Sequence, residues 1–572
     1  FFGSGYHFQR FYTHTYQSTF KMAKSMGYNL ASGLTGMLKE GHTSYEGIDE
    51  AILKNIEASK QLADIVKTSL GPNGMKKLVI NHIGKTIVTS DGATIVHELE
   101  IMHPAAKMIV MASEMQEQEM GDGTSFVVAF AGELLRLSGD LLRQGLNTAE
   151  VLEGYQRAFQ KCMEELPNLV CYKIEDPRDK EQLSNAIKTV LASKQYGFED
   201  KLAPFVAEAC LNVMTLPPKA PSLSVDNVRI AKLQGGNIDQ CSVIKGMVLL
   251  RDSEGSIKRC ENVKVTVFGC GIEASSTEAK GTVLIRSAEE LMNYNKSEEK
   301  LMEEIIKSIY DSGAKVVVSN GSISEMALHY LEKYEIMVLK INSKWELRRL
   351  CSALRSTALM RLGPATPEEM GFASLVEVQE VGSRNITVIS RDDKDSKLTT
   401  VVLRASTEPL LSDLGRAVDD GIHCAKHLCS DGRFVAGAGA CEVQLAARIR
   451  AFADTQAGLD QYAMRKFSQA LEIVPRILCE TSGLDATAVL ARLHAEHAKN
   501  KNCYYGINIS GTSDDGTIDS NAKGIMDLLI CKMSALRLAV DATLTVLRVD
   551  QIIMSKPAGG PKPRNPNATD ME

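Results

Sequence analysis

The sequence contains no C-x-x-C pair, although it holds 13 cysteines. Their odd number and scattered positions speak against a disulfide framework or a zinc ribbon, and a reducing compartment is the simplest reading. One cluster, His423, Cys424, His427 and Cys429, puts two histidines four apart. No second ligand pair is spaced to complete a metal site, so an ordinary mixed helix surface is expected there. An apolar run of about 18 residues is also missing, so no membrane-spanning helix is expected. Net charge is small for 572 residues, −6, which argues against a general binder of nucleic acid or anionic membranes. No G-x-x-x-x-G-K-[ST] occurs, which excludes the Walker type of phosphate loop. The first 39 residues lack Asp and Glu and carry a single Arg. That composition loosely resembles a transit peptide, but it has no amphipathic stretch and no apolar secretory core. The preferred reading is a native start at Met22 or Met26, with residues 1–36 a leader or flexible N-terminus.

What is present is ordinary globular composition, 44% hydrophobic and 24% charged, long enough for about three to four domains. Residues 44–70 carry apolar residues at helical spacing and stop at "GPNG". "KKLVI" and "KTIVTSDGATIV" read as strand and turn. Residues 104–170 read as helical up to Pro167, and residues 176–215 as helical with a break at "SKQYG". Residues 242–405 then alternate β-rich runs such as "VKVTVFG" and "AKVVVSNG" with helical stretches, which reads as an α/β domain inserted into a helical chain. Residues 408–500 and 524–548 return to helix, and "YYGINI" reads as a short strand. The tail 557–572 is rich in Pro and Gly and is expected to be disordered.

Four short stretches carry the chemistry: "LGPNG" (70–74), "TSDGAT" (89–94), "GDGTS" (121–125), and "DDG" (419–421) followed by "VAGAGACE" (435–442). Each alone is an ordinary turn signal. In "GDGTS", the amides of Gly123, Thr124, Ser125 and Phe126 fall at a helix start, where unpaired N–H groups and the helix dipole favour phosphate. Asp122 would repel that phosphate unless a hard cation lay between them, so Asp122 is read as a Mg²⁺ ligand. "LGPNG" is positioned to cover the nucleotide from the other side. Hydrolysis needs carboxylates that orient a water, and Asp91 and Asp420, both read as lying in D-G turns, are the candidates. Lys194, beside Ser193 in "ASKQYG", is either a contact for the terminal phosphate or a solvated lysine after a helix.

Taken in order, "LGPNGMKK", "TSDGATIV", "MIVMASEMQEQEMGDGTS", "ALEIVPRILCETSGLDA" and "LRVDQII" resemble the group II chaperonins over residues 37 to about 560. The resemblance implies a multidomain α+β fold. A helical equatorial ATPase domain would comprise 37–175 and 434–556. A small intermediate domain would comprise 176–242 and 403–433, and an α/β apical domain 243–402 with a lid protrusion near 273–302. It implies ATP or ADP held by Leu70, Gly71, Pro72, Gly123, Thr124, Ser125, Phe126, Ser193, Lys194 and Gly437. Mg²⁺ would sit on Asp122, with Asp91 and Asp420 acting on the water. It further implies a cytoplasmic, ATP-hydrolysing subunit of a double-ring hetero-oligomer that encloses and folds proteins such as actin and tubulin. Its partners would be other ring subunits and unfolded clients, with no nucleic acid and no membrane. Clients would meet an apical face that includes the helix 323–334. There Ile323, Ala327, Leu331 and Tyr334 point to the core, and Ser324, Met326, His329, Tyr330 and Lys333 point out.

Two departures stand out. The family's G-G-G-A is "GAGA" here, with Ala438 where a glycine approaches the ribose, and Ala522 replaces an acidic residue before "GI". They motivate the alternative of a mainly structural, nucleotide-binding ring subunit with little turnover of its own. A stand-alone phosphotransferase is a third reading, but the inserted domain shows no acceptor site.

Overall fold

A computed structural model describes residues 43–46, 51–81, 83–215, 217, 219–273, 287–382, 384–391, 398–499, 504–510 and 515–554. The expected leader, the core of the expected lid protrusion (274–286) and the tail 557–572 lie outside the described residues. One compact unit joins the two ends of the chain: strand Thr43–Glu46 pairs antiparallel with Gln551–Met554. The helical expectation over 44–70 is therefore wrong at its start. Thr43 and Tyr45 favour an extended chain, and a partner strand from the far end of the sequence decides the outcome.

The second unit, Ile52–Val549, holds every α-helix found among the described residues. Helix α1 is Leu53–Lys67, with Ile56, Leu62, Ala63 and Val66 buried along one stripe. A hairpin follows, Lys77–Ile80 against Thr86–Thr89. The stretch read as strand and turn then contains a helix, α2 (Gly92–Glu98), capped by the Asp91 side chain. The expected helical block 104–170 is three helices, α3 (Pro104–Met120), α4 (Thr124–Arg143) and α5 (Thr148–Glu165). Glycines with positive φ, Gly121 and Gly123 before α4 and Gly145 before α5, separate them. Pro167 lies in a 3₁₀ turn, Leu166–Leu169, that closes α5. Helices α6 (Lys180–Lys194) and α7 (Glu199–Val213) come next.

Nine strands then form one sheet. Its order is Val228–Gln234, Thr399–Ala405, Ser242–Leu249, Arg384–Ser390, Gly371–Val381, Arg259–Phe268, Ala314–Ser319 and Met337–Lys340, with Ala358–Leu359 beside Arg259–Phe268. The last three of that path run parallel, linked by the crossover helices α8 (Ala288–Asp311) and α9 (Glu325–Lys333). Helix α10 is Lys344–Leu354, and α11 (Glu408–Leu428) leads out of the sheet. The remaining helices are α12 (Ala440–Ala453), α13 (Asp460–Leu471), α14 (Ile473–Thr481), α15 (Ala486–Lys499) and α16 (Leu529–Leu547). Two strands interrupt what read as helix, Arg433–Ala436 and Met526–Leu528. They pair with each other, and Arg433–Ala436 also pairs with Val170–Lys173.

The cores are nested along the chain. One draws on both flanks, from Ile52 to Leu166 and from Val435 to Leu547. Its centre is α4, apolar on almost every face, where Phe130 stacks on Phe126 and meets Phe467 edge-on. A second core joins Ile174–Cys241 to Val401–Phe434 and Leu528. The sheet and its helices enclose the rest.

Candidate functional site

The start of α4 is built for an anion. Gly123, its N-cap, has φ 85°, which only glycine adopts without strain. The Asp122 carboxylate accepts a hydrogen bond from the Gly123 N–H at 2.7 Å. Buried Gln116 donates to the Asp122 carbonyl at 2.8 Å and accepts from the Ser534 hydroxyl at 2.9 Å, fastening this loop to α16. The start of α2 abuts it. A Cβ on Gly92 would come within 2.8 Å of Ser125, so glycine is required where the two helix N-termini meet. The Phe126 ring lies in the core, leaving only its backbone at the α4 terminus.

Three distant segments converge on these termini. Asp91 is not in a turn but caps α2: one carboxylate oxygen accepts from the Thr94 N–H at 3.1 Å and hydroxyl at 2.7 Å. Its other oxygen accepts from the Thr124 hydroxyl at 3.0 Å and from Lys194 Nζ at 2.5 Å. Lys194, the last residue of α6, also lies 3.2 Å from an Asp420 oxygen. Asp420 is likewise not in a turn. It is buried in the middle of α11, and Gly421 beside it allows close packing on Ile187 and Val206. The reading of Lys194 as a solvated lysine is overturned, because its side chain is only 8% exposed.

The charges are interdependent. Burial raises the Asp420 pKa well above the ordinary carboxylate value, opposed by Lys194 and reinforced by Asp91 and Asp122. Burial acts on Asp91 too, but the Lys194 charge and hydrogen bond, with Thr94, hold its carboxyl well below the ordinary range. Asp122 is raised by burial, with Lys194 and the Gly123 N–H opposing. For Lys194, burial favours the neutral amine, yet Asp420, Asp91 and Asp122 together raise its pKa and keep it an ammonium.

Other residues singled out in the sequence are placed as follows. The Ser193 hydroxyl donates back to the Val190 carbonyl at 2.7 Å, so it is not turned toward the carboxylates. Gly71, at φ 87°, packs so closely on Leu478 that a Cβ would clash, and Asn73 donates to the Ser482 hydroxyl at 3.3 Å; Leu70 and Pro72 lie half-buried in the same turn. Gly437 donates its N–H to the Ile525 carbonyl at 3.0 Å, and Ala438 takes φ 54°. Ala522 is exposed, its N–H bonded to Asp519. In the cysteine–histidine cluster, His427 Nε2 lies 2.6 Å from the Glu119 carbonyl, and His423 packs against Gly121. Helix α9 is shorter than expected. Ser324 is its N-cap, its hydroxyl taken by the Ala327 N–H, while Ala327 and Leu331 are buried and Ile323 and Tyr334 half-buried. Met326, His329 and Lys333 are exposed, Tyr330 is half-buried, and Lys333 pairs with Glu303 at 2.6 Å.

The sequence reading missed Asp413, one of the most enclosed carboxylates in the chain at 2% exposure. Its oxygens accept from Gln195 at 2.6 Å, Lys76 at 2.7 Å, Thr89 at 3.0 Å and Arg416 at 3.3 Å. The available signal was spacing: residues 413 and 420 share one face of α11, two turns apart. It also missed buried Lys532, which bonds Glu442 and lies 2.7 Å from Asp527.

The donor set suits a magnesium–phosphate ligand. Its oxygens are hard carboxylates and hydroxyls. Among the described residues no group of three or more His, Cys, Asp or Glu could hold a metal by protein ligands alone. One carboxylate at an anion-binding helix terminus fits a cation that completes its shell with phosphate oxygens.

Helical layers that gather carboxylates and a lysine at one helix terminus, with a long inserted α/β layer, set the class of protein. Residues 62–557 match the TCP-1/cpn60 chaperonin family, and the chain belongs to it. Within that family it is similar to T-complex protein 1 subunit theta. The human protein is 48% identical over 534 residues, 93% of this chain and 96% of that one. The Dictyostelium discoideum protein is 46% identical over 540 residues, 94% and 99% respectively, and the Arabidopsis thaliana protein 47% over 533 residues, 93% and 96%. The helical layers with an inserted mixed sheet are the multidomain α+β architecture of that family. No helix among the described residues is long and apolar enough to cross a membrane.

Proposed function

We propose that this chain is an ATP-hydrolysing subunit of the hetero-oligomeric cytosolic chaperonin TRiC/CCT, occupying the theta position. The observation that carries the reading is Lys194. It joins Asp91 on α2 to Asp420 on α11 from the end of α6, so residues from three distant segments meet at the α4 terminus. In this reading the core built from both flanks is the equatorial domain, the second core the intermediate domain, and the sheet layer the client-binding apical domain. The N-terminal amides of α4, with the turn at Gly71 and the loop at Gly437, hold ATP or ADP. Asp122 holds Mg²⁺, which supplies neutralisation of phosphate charge. Asp91 and Asp420 orient the attacking water, and the Asp420 carboxylate takes up its proton. Lys194 exchanges its carboxylate partners for the terminal phosphate, so hydrolysis depends on how α6 and α11 sit over the nucleotide. Ring partners are the other chaperonin subunits. Unfolded cytosolic proteins such as actin and tubulin bind the apical layer, and closure of the lid follows hydrolysis.

A second reading, a mainly structural subunit that binds nucleotide and turns over little, is favoured by one observation. Ala438 holds a left-handed backbone at φ 54°, a strained state for a residue with a Cβ. Rings carrying Asp420→Ala in this subunit alone separate the two. Retained ATP with loss of ADP at this site, a drop of about 10²- to 10⁴-fold in its turnover, supports hydrolysis. An unchanged total rate, with no ADP at the wild-type site, supports the structural reading.

A further inference from the structure

Helix α11 presents two buried carboxylates to the same region, seven residues apart. The proposed function uses Asp420 and leaves Asp413 unassigned. Asp413 is not an isolated ion pair. Its Oδ2 accepts from Gln195 Nε2 at 2.6 Å and from Lys76 Nζ at 2.7 Å. Its Oδ1 accepts from the Thr89 hydroxyl at 3.0 Å and Arg416 at 3.3 Å. Lys76 also reaches the Gln195 side-chain carbonyl at 3.4 Å.

Two of these partners stand next to the reacting groups. Gln195 follows Lys194 directly, at the very end of α6. Its backbone N–H still bonds the Leu191 carbonyl at 2.8 Å, so its side chain fixes the turn from which Lys194 projects. Thr89 lies two residues before Asp91. Its hydroxyl accepts from the Asp91 backbone N–H at 3.0 Å while it donates to Asp413. One carboxylate thus holds the backbone of Asp91 through a single hydroxyl and the base of Lys194 through a single amide. The third partner, Lys76, belongs to the segment that leaves the "GPNG" turn. The hub ties α11 and α6 to the hairpin and the turn that flank the anion site, and it does so from the face of α11 that carries Asp420.

We propose that Asp413 is a positioning residue for hydrolysis: it sets Asp91 and Lys194 in register with Asp420 whenever α11 and α6 are docked on the site, and releases both together when they undock. The proposal rests on the hydrolytic reading above. It assigns Asp413 no contact with nucleotide, so its loss should act on turnover and not on binding. Preorganised groups held within fractions of an ångström lose rate steeply when their support is removed.

The test uses assembled rings in which this subunit alone carries Asp413→Asn, or Thr89→Val, which removes one arm of the hub and keeps the side chain's shape. Site-resolved ADP formation and Mg-ATP retention at this subunit are both read. We expect turnover at this site to fall by about tenfold or more in Asp413→Asn and by less in Thr89→Val, with ATP affinity within about threefold of wild type. In the double variant Asp413→Asn with Asp420→Ala, the first change should add little to the second, because both act on one arrangement. A merely structural role predicts the opposite pattern: binding and turnover falling together, with additive losses. Unchanged turnover in both single variants, or loss that follows ATP affinity, overturns the proposal. A wild-type subunit that never forms ADP overturns the hydrolytic reading and this one with it. A wild-type subunit that turns over beside unchanged variants overturns this one alone.

Discussion

Lys194 Nζ lies 2.5 Å from Asp91 and 3.2 Å from Asp420, yet the two carboxyl groups, both pushed up by burial, end with pKa shifts of opposite sign. Asp91 receives two hydrogen bonds from Thr94, one from Thr124 and the shortest contact with the ammonium. Asp420 has the ion pair but poorer hydrogen-bond geometry, and one of its buried oxygens lacks a hydrogen-bond partner. The pKa of one carboxyl is pulled below the ordinary value and that of the other is pushed above it.

Opposite effects on stability follow. Asp91, with its folded pKa depressed, contributes stability that is present above its unfolded pKa of about 4 and is lost as pH falls through the folded value. Asp420, with its folded pKa raised, contributes stability that is full below its unfolded pKa and lost as pH rises through the folded value. Asp91→Asn should therefore lower the unfolding temperature near neutral pH, by the equivalent of about 3 kcal/mol for a broken buried pair. Asp420→Asn should raise it there, the gain shrinking as the medium is acidified. Unfolding midpoints of the assembled protein across pH check this, and a loss in both variants at neutral pH would contradict it.

The α4 terminus was legible in the sequence because it is local. A glycine, a short polar pair and an apolar run define an anion-binding helix start without reference to the rest of the chain. Asp420 was legible as a reactive candidate but not in its setting. "DDG" looks like a turn, whereas Gly421 serves helix packing in the middle of α11. Helix α2 was hidden by its seven residues and its β-branched "ATIV", which favour strand until Asp91 caps it. Lys194 and Asp413 owe their roles to partners more than 100 residues away. No local pattern encodes such contacts. The nested cores were visible as a change in texture near residue 242, because the period of the apolar pattern changes there.

The metal assignment predicts a specific loss. In Asp122→Ala the helix terminus keeps its amides but loses the carboxylate that would hold the cation. Nucleotide retention should lose its dependence on Mg²⁺ and fall to what amides alone support. Equilibrium binding of ADP with and without Mg²⁺ measures it. Wild-type affinity with an unaltered Mg²⁺ dependence would remove Asp122 from the site.

In the proposed function, helix α9 would offer clients one side only. Ala327 and Leu331 are buried, whereas Met326, His329 and Lys333 are exposed and Tyr330 is half-buried beneath Lys333. Met adapts to irregular partners, and a ring beside a cation suits mixed sequences. A photo-crosslinker at His329 or Tyr330 should capture a bound client before ATP is added. Crosslinks confined to the helical layers would rule this face out.

Ala438 sets the last expectation. Its backbone sits at φ 54°, and Gly439 follows at 80°, so two consecutive residues are left-handed at the start of α12. A left-handed alanine costs about 1–2 kcal/mol, whereas glycine pays about 0.4–1 kcal/mol in unfolded-chain entropy. Ala438→Gly should therefore stabilise the fold by up to about 1.5 kcal/mol. A separate effect should fall on nucleotide. The methyl lies in the loop that carries Gly437, and its carbonyl already holds the Ile507 N–H at 2.9 Å, so the loop cannot easily move aside. Relief of about 1 kcal/mol corresponds to roughly fivefold tighter ADP binding. Ala438→Val, β-branched at positive φ, should weaken it by more. Calorimetric titration of both variants decides the point: if glycine leaves affinity unchanged while valine abolishes folding, the methyl does not limit nucleotide binding.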